Sequence, residues 1–223
     1  MHNPLIVALD VPSRDVALRL ATNVGPHVGA LKIGSELFTS AGPELVHQLR
    51  HGGFRVFLDL KYHDIPNTVA KAVAAATRLG VDMLTVHTSG GPDMLRAAET
   101  AAQETAHSLG RPAPLVLGVT VLTSMDSQQL AAVAVESDID RHVERLARLA
   151  VGAGLRGLVC SPLELGLLAR FLPADVQRVT PGIRTGPTKV GDDQKRTLSA
   201  AEAIAAGARW IVVGRPIYEA EDP

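Results

Sequence analysis

The chain has 223 residues, 46% of them hydrophobic, enough for one large core, and nothing in the composition divides it into two. Lys and Arg number 22 against 23 Asp and Glu, a formal net charge of −1 with no basic tail or block, so neither nucleic acid nor an anionic membrane has electrostatic support as a partner. The lone Cys160 excludes an internal disulfide framework and a Cys-x-x-Cys metal site. No stretch nears the ~18 uninterrupted apolar residues of a membrane helix, and no basic, apolar leader precedes Leu5, so the expectation is a soluble, cytoplasmic protein that takes a small partner.

Short apolar or β-branched runs recur along the chain at Leu5–Leu9, Gly29–Ile33, Arg55–Leu60, Met83–His87, Leu115–Val121, Gly157–Cys160, Gln177–Thr180 and Trp210–Val213. Between them lie segments with helical spacing, several rich in alanine, including Thr68–Leu79, Pro92–Leu109, Arg141–Val151, Pro162–Phe171 and Ser199–Ala206. Strand and helix alternate, which implies a parallel sheet with right-handed crossovers. Eight such units in about 220 residues favour a closed (β/α)8 TIM barrel, one domain over residues 1–223, above an open doubly wound sheet.

In a barrel, chemistry belongs at the C-terminal strand ends, and here those ends are polar. Strand one runs into Asp10, strand two carries Lys32, and strand three ends in Asp59 and Lys61. Strand four ends in His87-Thr88-Ser89-Gly90-Gly91, strand five is followed by Thr123-Ser124, strand seven by Pro181-Gly182-Ile183-Arg184, and strand eight by Gly214-Arg215-Pro216. Asp59 and Lys61, two apart on a strand, share a face. The seventh and eighth turns suit an anion: Gly214 lets backbone N–H groups approach it and Arg215 pairs with it.

Each residue also has a structural reading. Asp10 could cap a helix beginning near Ser13, Asp64 one near Pro66, and Lys32 could be an ordinary strand lysine. The Gly-Arg-Pro turn could be punctuation. His87 reads as a hydrogen-bonded structural histidine, with no second histidine at zinc-ligand spacing, and Cys160 as a small core residue.

The segment Asp59-Leu60-Lys61-Tyr62-His63-Asp64-Ile65-Pro66-Asn67-Thr68 resembles the signature of the orotidine 5′-phosphate decarboxylase family. The likeness spans the chain: Ala8-Leu9-Asp10, Leu31-Lys32-Ile33-Gly34, Val86-His87 before Gly90-Gly91, Leu122-Thr123-Ser124, Pro181-Gly182-Ile183-Arg184, Asp193-Gln194 and Val213-Gly214-Arg215-Pro216. It is similar to the family's short bacterial branch. The resemblance implies a cofactor-independent, metal-free decarboxylase of orotidine 5′-phosphate in pyrimidine biosynthesis. Lys61 would be the proton donor, beside Asp59, with Lys32 binding ribose and holding Asp59. It further implies a homodimer in which Asp64, Ile65 and Thr68 enter the partner's site. Asp10 would contact ribose, Thr123 would lie near the pyrimidine, and Arg184, Gln194, Gly214 and Arg215 would serve the phosphate. The long polar segment from Pro181 to Arg196 would act as a lid.

Two other readings compete. A magnesium-dependent relative would share the Asp-x-Lys-x-x-Asp pattern but need a further carboxylate, for which Glu36 is the candidate at strand two. An inactive barrel that only binds nucleotide phosphates would have no use for Asp59, Lys61 and Asp64 together.

Overall fold

A computed structural model describes residues 3–184 and 197–223. Its strands are β1 (Leu5–Ala8), β2 (Ala30–Gly34), β3 (Val56–Tyr62), β4 (Met83–His87), β5 (Leu115–Val119), β6 (Gly157–Val159), β7 (Gln177–Thr180) and β8 (Trp210–Val213). All pair in parallel with their sequence neighbours, and β8 returns to β1, so the sheet closes into the expected barrel. The helices are α1 (Arg14–Val24), α2 (Ser35–His51), α3 (Pro66–Leu79), α4 (Gly91–Ser108), α5 (Ser127–Ala132), α6 (Ile139–Gly152), α7 (Leu165–Leu168), α8 (Ala200–Ala205) and α9 (Arg215–Tyr218). None of the described helices is long and apolar enough to cross a membrane.

Local chemistry fixes the helix starts. Ser13 caps α1 by accepting the Val16 N–H, Pro66 opens α3, Asp138 caps α6 through the Arg141 N–H, and Ser199 with Glu202 forms a capping box on α8. α2 breaks at Gly42, followed by Pro43. The expected helix over Pro162–Phe171 is instead a 3-10 turn at Pro162–Glu164 running into the short α7, because the Ser161–Glu164 capping box closes a tight first turn.

Alternation along the strands divides the apolar side chains into two cores. Ile6, Ala8, Ala30, Phe57, Met83, Leu117, Val179, Trp210 and Val212 fill the barrel interior. Val7, Leu9, Leu31, Ile33, Leu58, Leu84 and Val86 face outward against the helices. Trp210 plugs the N-terminal end, its indole N–H donating to Gln177 Oε1 (2.8 Å) and the Arg55 guanidinium 5.2 Å from its ring centre. Phe57, fully buried, is the large side chain below the charged rim; its truncation to alanine would cost about 3–5 kcal/mol. The apolar floor thus ends one side chain beneath Asp59 on the same strand.

Candidate active site

A cavity of about 560 Å³ opens at the C-terminal ends of the strands. That is ample for a small phosphorylated ligand. Its wall includes Asp10, Lys32, Asp59, Lys61, Thr123, Arg184, Gly214 and Arg215, eight of the residues singled out from the sequence, together with Glu36, Ser124, Cys160 and Tyr218. Asp64, Ile65 and Thr68 do not line it. They lie exposed at the start of α3, with Ile65 65% accessible and the Asp64 carboxylate accepting the Ile65 N–H (2.6 Å). Gln194, and most of the segment expected to act as a lid, lie outside the described residues.

Four charges of alternating sign cross the mouth. Lys32 Nζ donates to Asp10 Oδ1 at 2.9 Å and stands 3.7 Å from Asp59 Oδ2; Lys61 Nζ lies 2.9 and 3.0 Å from the two Asp59 oxygens. Lys32 is only 8% exposed, so it is no ordinary surface lysine, and Asp10 pairs with it while Ser13 does the capping. Gly34 makes room for this contact, since a Cβ there would come within 3.2 Å of both Asp10 Oδ1 and Lys32 Nζ. Burial raises the affinity of Asp59 for a proton, but the two lysines and the hydrogen bonds from Lys61 and Thr85 outweigh it, so its pKa falls below the ordinary carboxylate value. Asp59 is therefore a fixed anion with the Lys61 ammonium held against it.

β3 extends two residues beyond the expected end at Leu60. There the pairing with β4 is irregular: Leu58 is in register with Leu84 and Tyr62 with Val86. Lys61 takes a positive φ of 50°. Thr85, fully buried on β4, binds this segment: its hydroxyl accepts the Lys61 N–H and donates to Asp59 Oδ1, each at 2.9 Å. Composition gives no hint of it, because a threonine in Met83-Leu84-Thr85-Val86-His87 reads as β-branched filler; its inward parity with Met83 and His87 is the one available signal.

His87 is half-buried behind the charged row, with its ring centre 5.5 Å from that of His63. Burial, then His63 and Lys61, depress its pKa below 6.5 against the opposing pull of Asp59. Neither histidine lines the cavity. Cys160 is a buried core residue, as expected, and also a wall of the cavity.

Residues 3–223 match the family described as Orotidine 5'-phosphate decarboxylase / HUMPS family. A relative in Pseudomonas fluorescens (strain SBW25), named orotidine 5'-phosphate decarboxylase, is 50% identical over 222 residues covering 100% of this chain and 93% of its own length. One of the same name in Moorella thermoacetica is 47% identical, covering 100% and 89%. The crystal structure of orotidine 5'-phosphate decarboxylase from Lactobacillus acidophilus superposes with a TM-score of 0.87 at 35% identity, over 99% of this chain and 94% of that one. With its barrel, its charged mouth and its relatives in agreement, the chain belongs to the orotidine 5′-phosphate decarboxylase / HUMPS family.

Proposed function

We propose that this protein decarboxylates orotidine 5′-phosphate to uridine 5′-phosphate without a cofactor, with Lys61 delivering the proton. The observation that carries the reading is the Asp59–Lys61 ion pair, 2.9 Å long, opening into a cavity whose wall also bears two arginines. Breaking the bond between C6 and the carboxylate releases CO₂ and leaves the electron pair on C6, where no adjacent carbonyl can take it up. The protein must therefore hold a positive charge beside that carbon. Lys61 supplies the charge and then transfers a proton from Nζ to C6; solvent reprotonates the amine. Asp59 keeps Lys61 aimed, and Lys32 joins Asp59 to Asp10, so the charges are fixed before substrate arrives and need not reorganise during the reaction.

Arg184, Gly214 and Arg215 are assigned to the phosphate, with Gln194 joining them. Asp10 and Lys32 are assigned to ribose and Thr123 to the pyrimidine. Asp64, Ile65 and Thr68 are assigned to the partner's cavity in a cytoplasmic homodimer. Their exposure at the mouth of β3, outside their own cavity, supports that exchange. The Asp64 carboxylate would then place a second anion against the partner's Lys61. The competing magnesium-dependent chemistry has Glu36 at the same mouth, and it predicts a different response to chelation. Loss of orotidine 5′-phosphate absorbance, followed with EDTA present, should proceed at the rate seen without it. No turnover would overturn the assignment, and turnover abolished by EDTA would move the protein to the metal-dependent chemistry.

A further inference from the structure

Between Leu58 and Tyr62 the ladder of β3 and β4 loses step: Asp59, Leu60 and Lys61 stand opposite the single residue Thr85, flanked by the registered pairs Leu58 with Leu84 and Tyr62 with Val86. A bulge of this kind leaves backbone groups without ladder partners, and it lets a strand re-aim a side chain. Lys61 at φ 50° adds a conformation that residues bearing a Cβ adopt at a cost. Something must hold it there. The Thr85 hydroxyl does so with both of its hydrogen-bonding capacities, accepting the Lys61 N–H and donating to Asp59 Oδ1. At 0% exposure and outside the cavity wall, it touches neither solvent nor ligand space.

We propose that Thr85 is a positioning residue of the reaction: one buried hydroxyl fixes the backbone of Lys61 and the carboxylate of Asp59 together, and so sets the aim of the ion pair at the substrate. A valine would fill the same volume and suit a strand as well. A hydroxyl in so dry a place is unfavourable unless bonded, and here both bonds run to the two residues whose alignment matters. The inference rests on the reading of Lys61 as proton donor, and it adds a requirement on a residue with no contact to substrate.

The test is Thr85→Val. Loss of a hydrogen bond to a charged group, with the Lys61 N–H left unsatisfied, should lower kcat by about 10- to 100-fold. KM should stay within about threefold, because the wall of the cavity is untouched. Removing a donor from the Asp59 carboxylate raises its pKa, so the acid limb of kcat/KM should move to higher pH. Thr85→Ser, which keeps the hydroxyl, should hold kcat within about threefold of the natural protein.

If the valine variant does not fold, Thr85→Ser against Thr85→Ala supplies the same comparison, since that pair differs by the hydroxyl alone. Equal kcat within either pair, or a loss confined to KM, would overturn the proposal. Should the natural protein fail to decarboxylate orotidine 5′-phosphate, the functional reading falls, and ¹³C titration of the Asp59 carboxyl still judges Thr85. A titration identical in the serine and alanine variants would refute its hold on Asp59.

Discussion

Replacing Lys61 with alanine tests the centre of the site, and its two consequences separate by magnitude. Catalytically, in the role proposed for Lys61, the substitution removes the positive charge beside the developing carbanion, commonly worth about 10²–10³ in rate, and the proton donor, worth about 10²–10⁴. Together they place the loss at about 10⁴–10⁷. Structurally, it strips Asp59 of contacts at 2.9 and 3.0 Å, yet Lys32 at 3.7 Å and the Thr85 hydroxyl remain to satisfy that carboxylate. Leaving a buried charge wholly unpaired costs about 3–5 kcal/mol. With those partners retained and the lysine one-third exposed, the expected cost is smaller, about 1–2 kcal/mol. For a chain of this size that lowers Tm by about 2–8 °C. Absorbance at high enzyme concentration gives the rate, and circular dichroism with thermal melting gives the fold. A folded Lys61→Ala protein that keeps turnover within about tenfold of the natural one would refute the role given to Lys61, because neither component alone is expected to be that small.

Arg215→Ala should lower kcat/KM for orotidine 5′-phosphate by on the order of 10²-fold or more while barely affecting a substrate that lacks phosphate; equal losses on both would remove Arg215 from the phosphate site. Mixing and re-equilibrating inactive Lys61→Ala and Asp64→Ala proteins should restore activity, since heterodimers would carry one site with both lesions and one with neither. Heterodimers demonstrated by mass yet devoid of activity would mean that Asp64 serves its own chain. Part of the pH dependence of stability should follow His87. Its folded pKa lies below 6.5, so its contribution is fully present above that value and is lost as pH falls toward the folded pKa. His87→Gln should therefore shrink the fall in Tm between about pH 7.5 and about pH 5. An unchanged fall would show that the burial of this ring carries no such linkage.

The barrel was readable because each strand is a short apolar run whose inward and outward residues are both buried, as with Ile6 and Val7 or Ala30 and Leu31. Boundaries failed where that signal ends before the strand does. β3 continues through Lys61 and Tyr62 because the neighbouring strand and the interior charges support it, which no local pattern announces. α2 is broken in its periodicity by Gly42 and Pro43, so its bounds were not marked by a continuous helical pattern. The charged row was legible from strand ends alone, since fold position turns Asp10, Lys32, Asp59 and Lys61 into neighbours. Whether Asp10 and Asp64 were caps was not legible: Ser13 takes the first role, and α3 starts at Pro66 with no side chain bonding its first turn. Thr85 stayed hidden because its importance lies in a register slip, a property of two strands rather than of either.

Closure of the sheet by β8 against β1 joins residues about 200 positions apart, such as Leu5 and Ile211. Bringing such distant segments together costs about 4–5 kcal/mol of chain entropy beyond a constant, whereas β3 meets β4 after one helix. The seam is thus expected to be among the last pairings of the barrel to form. Asp10 follows one of its strands, and Gly214 with Arg215 follows the other. A fluctuation that parts the seam would release Gly214 and Arg215, the proposed phosphate end, while the Asp59–Lys61–Thr85 cluster stays assembled two strands away. A nucleotide held by both lips would act in turn as a staple across the join, slowing hydrogen exchange at the β1 and β8 amides more than at those of β3 and β4.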